Sequence, residues 1–411
     1  MKQKKHHAGY EWIILVLLLL SQLILSMGAY AWGPLGPFVK KSLSLTPVQV
    51  GSLTSTIYLT AVIFSIPSGI SVDRWGVKLN LFICMMLMGT GMLLAGFTDS
   101  YMSLLVLMTL AGASYGMINP IASKALTVWF DTTFRATAFG IRQMGVTAGG
   151  AIAGVLLIYL AQLKDWNLAV SVVGLLAILI GIDGILFYKE SPVKPGKNDK
   201  NRAKAAFDKK NNQNASIFDL MKNRDLILAC LIMTLLCLGQ SSIGAFLVLY
   251  LEEDLGFPAL PAGSFLTAAM ISGGVARVFW GLISDKLFNA RRLPVMKIIC
   301  ALAAISSLIT CFWVNTLPNL LFILIAVIFG FSYLGFQGIA VVLLVEASGA
   351  ESAGKATGLG ITIAWVGMVL GPIIYGTLVP QGYFFAWLFV AITSFASFLL
   401  CCIIRETANS A

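Results

Sequence analysis

Two arginines lie inside long apolar stretches of the sequence. Arg142 is followed by Gln143 and then by glycines, and Arg277 lies about two helical turns before Asp285. A charge within a membrane span is costly and usually serves a function. Because a guanidinium can hold both oxygens of a carboxylate with its planar fork of donors, the two arginines indicate a binding site for an organic anion. The alternatives are an internal salt bridge for Arg142 and, for Arg277, a side chain that reaches the membrane surface or braces a gate.

The other reactive residue types do not form a catalytic or metal site. The only histidines, His6 and His7, lie in a charged N-terminal tail, and we interpret them as solvated. The seven cysteines lie in apolar runs without metal-ligand spacing to histidine: Cys84, Cys230, Cys237, Cys300, Cys311, Cys401 and Cys402. The sequence contains no glycine-rich loop ahead of Lys-Ser or Lys-Thr that would bind ATP. We therefore predict no enzyme activity, no cofactor and no metal.

Most of the chain is too apolar to face water. Of its 411 residues, 58% are hydrophobic and 11% are charged, whereas soluble domains carry about 25% charged residues. Twelve apolar segments are long enough for a transmembrane helix of about 20 residues: 11–38, 48–72, 78–98, 101–128, 136–162, 166–188, 225–251, 260–284, 294–314, 318–345, 354–379 and 382–404. They lack the alternation of barrel strands, and a helix satisfies its own backbone hydrogen bonds in lipid. We predict an all-α polytopic membrane protein with an uncleaved first helix, although Ala29-Tyr30-Ala31 resembles a signal-peptide cleavage site.

Lysine and arginine are distributed unevenly between the two sets of loops. One set, with both tails, holds most of them: Lys2, Lys4, Lys5, Arg74, Lys78, Arg135, Lys286, Arg291, Arg292, Lys297, Lys355 and Arg405. The opposite loops hold Lys40, Lys41 and Lys164, together with Glu252, Glu253 and Asp254. Because positive charge collects on the cytoplasmic side, we predict that both termini are cytoplasmic and that the protein lies in the cell membrane. The net charge of +10 then reflects topology, so nucleic acid is not an expected partner.

A basic stretch divides the segments into two groups of six. We predict an N-terminal bundle over residues 1–188, a cytoplasmic linker over 189–224 and a C-terminal bundle over 225–411. We interpret the linker as a solvated tether that enforces topology, with attraction to anionic lipid headgroups as the alternative. The two groups share a motif, since Gly69-x-x-x-Asp73-Arg74 ends segment 2 and Gly281-x-x-x-Asp285-Lys286 ends segment 8. This repetition indicates two related halves.

The motif at the end of segment 2 resembles a family signature. Gly69-x-x-x-Asp73-Arg74-x-Gly76-x-Lys78 is similar to the signature between helices 2 and 3 of the major facilitator superfamily. The resemblance implies twelve helices in two pseudo-symmetric six-helix bundles. We predict a cytoplasmic gate in which glycine permits a close helix approach, while Asp73 faces a helix N-terminus or pairs with a cation such as Arg135. Its members are Gly69, Asp73, Arg74, Gly76, Lys78, Arg135, Gly281, Asp285 and Lys286. The alternative is a loop whose charges only set topology.

The resemblance also implies where a substrate binds. In this fold, helices 1, 4, 7 and 10 line a central cavity, and helices 2, 5, 8 and 11 flank it. The candidates for substrate contact are the two arginines and the polar or aromatic residues of these segments: Gln22, Tyr30, Tyr58, Tyr115, Asn119, Arg142, Gln143, Gln240, Arg277, Gln337 and Trp365. An interhelical hydrogen bond is the alternative role of each uncharged side chain. Segments 1, 4, 7 and 10 carry no acidic residue at their centre, so we expect a coupling proton or cation as a partner without assigning its binding residue.

The residues around Arg277 resemble one branch of this family. Gly274-Val275-Ala276-Arg277-x-x-x-Gly281 is similar to helix 8 of monocarboxylate carriers, in which the arginine meets the substrate carboxylate, although segment 1 lacks the lysine of those carriers. Met108 and Gly145-Val146 differ from the helix 4 arginine and the Gly-Pro of proton-driven drug antiporters. We therefore expect a monomeric secondary transporter that moves a small organic anion, a carboxylate, by alternating access, in contact with membrane lipids and coupled to an ion or proton. The alternatives are proton-driven efflux of amphipathic compounds and a non-transporting sensor of the same fold.

Overall fold

Apolar helices make up most of the chain that the structure describes. The computed structural model describes residues 9–189, 222–313, 319–348 and 353–404. In these ranges, eleven continuous helices are long and apolar enough to cross a membrane. One of them, Pro47–Ala95, has 49 residues, or about 74 Å at 1.5 Å per residue. Because this length is more than twice the ~30 Å hydrocarbon core and the helix bends at Gly76, it supplies two spans. The predicted polytopic helical fold with twelve spans is confirmed.

We number the spans α1 to α12, in agreement with the predicted segments. The N-terminal half contains α1 (Tyr10–Ala29), α2 and α3 (the parts of Pro47–Ala95 before and after Gly76), α4 (Tyr101–Trp129), α5 (Thr132–Ile152, a π-helical turn Ala153–Leu157 and Ile158–Leu163) and α6 (Trp166–Phe187). The C-terminal half contains α7 (Arg224–Glu253), α8 (Ala259–Lys286), α9 (Arg292–Cys311), α10 (Asn319–Phe329, a π-helical turn Gly330–Leu334 and Gln337–Ser348), α11 (Ala353–Leu378) and α12 (Tyr383–Ile403). A short helix, Gly36–Leu43, lies between α1 and α2.

The first span is broken, whereas the sequence predicts one helix over residues 11–38. α1 ends at Ala29, and the chain turns before the short helix Gly36–Leu43 begins. The cause is the pair of prolines at 34 and 37, because proline lacks a backbone N–H and disfavours a helical conformation in the residue before it. Residues 28–36 are buried, which is the setting in which irregular backbone is tolerated within a membrane. The break places Tyr30 inside the bundle.

Several predicted regions lie outside the described residues. They are residues 1–8, 190–221 and 405–411, which include most of the linker predicted over 189–224. α7 begins at Arg224, next to the predicted start of the C-terminal bundle. The division of the chain into two bundles and a linker stays a prediction.

The two halves meet through α2 against α11 and α5 against α8. We call the side that carries the α2–α3 bend the Gly76 face, and the opposite side the Lys40 face. Near the Lys40 face the backbones touch: a Cβ atom added to Gly51 of α2 would lie 2.4 Å from the carbonyl oxygen of Pro372, and one added to Gly263 of α8 would lie 2.0 Å from that of Gly154. Only glycine permits such an approach. The halves are therefore closed at the Lys40 face.

Candidate functional site

A cavity of about 830 Å³ lies between the two halves. It begins below the closed Lys40 face and extends towards the Gly76 face, where Ile66 of α2 and Gly358 of α11 belong to its wall. All the residues predicted to contact substrate line this one cavity: Gln22, Tyr30, Tyr58, Tyr115, Asn119, Arg142, Gln143, Gln240, Arg277, Gln337 and Trp365. Among the described residues, no Asp, Glu or His lines it. The polar part of the wall, which lies among apolar side chains such as Val62, Ile118 and Met233, thus carries positive charge.

Arg142 is held by neutral amides of its own half. Its side chain is almost fully buried, at 4% exposure. Nη1 donates to Oε1 of Gln22 at 2.8 Å, and Nη2 donates to Oδ1 of Asn119 at 3.0 Å and to Oε1 of Gln143 at 2.6 Å. Nε is buried without a hydrogen-bond partner. The predicted alternative of an internal salt bridge for Arg142 is not observed among the described residues.

Arg277 is held in the same way in the other half. Its Nε donates to the carbonyl oxygen of Leu334 at 3.2 Å, and its Nη2 donates to Oε1 of Gln337 at 3.0 Å. Gln337 in turn donates to Oε1 of Gln240 at 3.3 Å. The Leu334 carbonyl ends the π-helical turn of α10, just before Gln337 starts the last part of that helix, and such turns often occur at functional sites. The guanidinium therefore lies in the cavity wall and does not reach the membrane surface.

The two arginines lie at similar depths on helices that touch. A Cβ atom added to Gly274 of α8 would lie 2.9 Å from Oγ1 of Thr147 of α5. α5 and α8 are antiparallel, so Arg142 and Arg277 both lie on the Gly76 side of this contact, at about 7.5 Å and about 4.5 Å along their helix axes. The difference in depth is about 3 Å. The backbone positions of the two arginines thus lie at nearly the same level, on opposite halves, and both side chains line the cavity.

Three aromatic rings close the cavity towards the Lys40 face. Tyr58 of α2 and Tyr115 of α4 have ring centroids 6.1 Å apart, and Trp365 of α11 lies 6.2 Å from Tyr58 and 6.4 Å from Tyr115. We call these rings the aromatic cluster. Tyr58 lies about two helical turns inward from Gly51, whose close contact with α11 seals that face. The cluster joins the halves and supplies an apolar surface beside the polar wall.

Asp73 pairs with a cation, which is one of the two predicted arrangements, but the cation is not Arg135. Asp73 pairs with Lys124 of α4 at 3.0 Å, whereas Arg135 donates to the carbonyl oxygens of Thr127 and Phe130 at the end of α4. Lys124 also reaches the carbonyl oxygen of Val72 at 2.7 Å, so it holds the end of α2 against α4. A lysine within segment 4 is a signal that the sequence analysis missed.

The predicted close helix approach at Gly69 and Gly281 is also not observed. A Cβ atom added to either glycine would have no other atom within 4 Å, because the halves are apart at the Gly76 face. Gly76 has a different role: its φ of 84° lies in the left-handed region and forms the bend between α2 and α3. Of the neighbouring predicted gate residues, Arg74 has its guanidinium 6.0 Å from the Trp75 ring centroid.

Each predicted gate turn is braced within its own half. In the first turn, the Asn80 side chain donates to the carbonyl oxygens of Gly76 at 2.7 Å and Ser71 at 3.2 Å. Lys78 lies between Gly76 and Asn80 in the chain, at the start of α3. In the second, Lys286 ends α8, and Asp285 pairs with Arg292 of α9 at 2.5 Å. Sequence reasoning did not identify the roles of Asn80 and Arg292.

An ion pair joins the halves at the Lys40 face. Lys40 of the short helix Gly36–Leu43 contacts the Glu253 carboxylate at the end of α7, with Nζ–Oε distances of 2.6 and 2.8 Å. The Tyr383 hydroxyl at the start of α12 donates to the same carboxylate at 3.0 Å. The sequence analysis used Lys40 and Glu253 only as markers of topology. Their pairing can form only when this face is closed.

Comparison with known proteins agrees with this architecture. The Major Facilitator Superfamily matches residues 18–372. A hexuronate transporter of Bacillus subtilis is 26% identical over 179 residues, or 44% of this chain and 42% of that transporter, so this match spans less than half of the relative. A membrane sensor protein, UhpC, of Salmonella typhimurium is 26% identical over 81% of this chain and 77% of its own length. A D-galactonate transporter of Escherichia coli O6:H1 is 24% identical over 87% of this chain and 86% of its own length.

A solved structure shows the same fold. The bacterial homologue of the human lysosomal transporter Spinster superposes with a TM-score of 0.75 and 16% identity, covering 96% of this chain and 95% of that chain. The family matches most of the sequence, and the structure has two halves of membrane-spanning helices. This chain is therefore a multi-pass membrane protein that belongs to the Major Facilitator Superfamily.

Proposed function

We propose that the protein is a secondary active transporter that moves a small organic anion bearing a carboxylate across the cell membrane by alternating access. The observation that carries this proposal is the pair of guanidinium groups, Arg142 and Arg277, in the wall of one cavity whose described lining contains no acidic side chain. A buried cation without a counterion is costly, and an anionic substrate would compensate it. Two relatives, a hexuronate transporter and a D-galactonate transporter, are carriers of organic acids.

The described conformation corresponds to an inward-open state in this proposal. The cavity is closed at the Lys40 face and extends to the Gly76 face. The Gly76 face carries the larger share of Lys and Arg, and the positive-inside rule assigns it to the cytoplasm. Both termini then lie in the cytoplasm, and Asp73 and Asp285 lie at the cytoplasmic ends of α2 and α8.

An ion gradient or an exchanged anion drives transport in this proposal. The described lining of the cavity has no carboxylate or imidazole that could take up a proton. A second anion then moves in exchange, or a proton or cation moves in symport through a site outside this lining. Uptake that rises with an imposed inward proton gradient would distinguish symport from exchange.

The aromatic cluster favours efflux of amphipathic compounds as the second candidate function. Its three rings offer an apolar surface of the kind that binds greasy ligands. Two arginines without acidic neighbours in the described lining would, however, repel lipophilic cations. A thermal-shift screen of purified protein against carboxylates, sugars and lipophilic cations separates these functions, and binding without uptake into proteoliposomes would indicate a sensor.

The substitution Arg277→Lys tests the proposed role of this side chain. Lysine keeps the charge but loses the planar fork, and one lost charge-assisted hydrogen bond costs about 1.5–3 kcal/mol, or about ten- to a hundredfold in affinity. We expect that loss for the carboxylates found in the screen, measured by ligand-induced thermal stabilisation and by uptake. Arg292→Lys is the matched control, because Arg292 begins α9 and lies outside the cavity lining. An unchanged affinity in Arg277→Lys would remove Arg277 from the site.

A further inference from the structure

We infer that the transported anion carries two negatively charged groups, one bound by Arg142 of the N-terminal half and the other by Arg277 of the C-terminal half. The inference rests on the proposed function and adds the number of charges on the substrate. It differs from the single carboxylate–arginine contact that the resemblance of α8 to monocarboxylate carriers implies. A short dicarboxylate is the corresponding chemical class.

The charge of the cavity is the first argument. Arg142 and Arg277 both line it, and they donate hydrogen bonds to amide and carbonyl oxygens, which are neutral. Within the described residues, no acidic side chain lines the cavity to compensate either guanidinium. When the cavity closes around a substrate, water that screens these charges is expelled. A monoanion would leave one arginine without a counterion in the closed state, whereas a dianion compensates both.

The donor capacity of the two side chains is the second argument. A guanidinium has five N–H donors. Arg142 uses three of them for Gln22, Asn119 and Gln143, and its buried Nε has no partner. Arg277 uses two, for Leu334 and Gln337. Each side chain is thus held in place before substrate arrives: Arg142 keeps one N–H of Nη1 besides its buried Nε–H, and Arg277 keeps both N–H groups of Nη1 and one of Nη2.

The position of the two arginines is the third argument. They lie on α5 and α8, which touch at Thr147 and Gly274, and their depths along these helices differ by about 3 Å. The two anionic groups would therefore be bound side by side across the seam between the halves. A substrate that bridges the seam binds best when the halves are close, so its binding favours closure. This links the second charge to the transport cycle.

The test compares ligands that differ in one charge. Binding of adipate, glutarate and succinate to the full-length protein in nanodiscs is measured by calorimetry at neutral pH, each against its own monoamide, and D-glucarate is compared with D-gluconate. In at least one pair, we expect the dianion to bind with at least tenfold higher affinity than the monoanion. A monoanion that binds as tightly as its dianion in every pair would overturn the inference while leaving the proposed function intact. If no carboxylate binds, the proposed function itself fails, and the inference fails with it.

Substitutions assign the two charges to the two arginines. In Arg142→Gln, the preference for the dianion over its monoamide should fall to about one, while the monoamide retains its wild-type affinity. Arg142→Lys keeps the charge and should retain part of the preference, which covers the case that the glutamine variant does not fold. Lys164→Gln is the control, since Lys164 is an exposed cation at the end of α5, the helix that carries Arg142, and lies outside the cavity lining. The assignment would be overturned if every Arg142 variant that folds kept the wild-type ratio of dianion to monoamide affinity.

Discussion

The Lys40–Glu253 ion pair should hold the Lys40 face closed. It connects the short helix Gly36–Leu43 to the end of α7, and Tyr383 donates a further hydrogen bond to Glu253. The side chains of Lys40 and Glu253 are 25% and 32% exposed, so solvent screens the pair in part. Exposed pairs contribute about 0.2–1 kcal/mol, and hydrogen bonds to charged groups contribute about 1.5–3 kcal/mol. We take about 1–2 kcal/mol for this partly exposed site, which corresponds to a factor of about 5–30 in a two-state ratio.

Glu253→Gln removes the charge and should shift the population by this factor towards the state that is open at the Lys40 face. Spin labels at Ser42, in the short helix, and at Gln381, before α12, report the separation of the halves by pulsed electron resonance. Lys41→Gln is the matched control, because Lys41 is the exposed neighbour of Lys40 and its charge is not the one that contacts Glu253.

Two double variants of Lys40 and Glu253 test whether the two charges act as a pair. The exchange of the two residues, Lys40→Glu with Glu253→Lys, should restore the wild-type distance distribution. The double variant Lys40→Gln with Glu253→Gln should behave like either single variant, since the two charges act as one unit. An unchanged distribution in Glu253→Gln, or additive effects in the double variant, would refute the ion pair as a closing element.

Three further predictions concern the Gly76 face. Asp73→Asn should reduce uptake and leave the melting temperature nearly unchanged, because Asp73 is 82% exposed and such pairs contribute about 0.2–1 kcal/mol; wild-type uptake would contradict a gate role. Asn80→Ala should lower the melting temperature, since it removes the side-chain donor from two partly buried carbonyl groups near the bend at a cost of about 1–3 kcal/mol, and Asn80→Asp serves as the size-matched comparison; an unchanged temperature would argue against the brace. A cysteine engineered at Asn212 should resist an impermeant thiol reagent in intact cells, and its labelling would reverse the predicted orientation.

The sequence by itself determined the class of the protein and the candidate positions of the site. Hydropathy and span length are local properties, so twelve membrane helices could be predicted from them. Buried charge is rare in such helices, and this rule selected Arg142 and Arg277, which the structure places around one cavity. The same rule, applied to segment 4, would have identified Lys124.

Only the tertiary structure decided which residues act together. Arg142 contacts Gln22, 120 residues earlier in the chain, and Lys40 contacts Glu253, 213 residues later. Such pairs depend on how the helices pack, and no local pattern encodes them. Asp73 could be expected to meet a cation, but the orientation of α4 against α2 selected Lys124 over Arg135. The open space around Gly69 and Gly281 has the same origin, because the distance from each glycine to a neighbouring helix depends on how the helices pack.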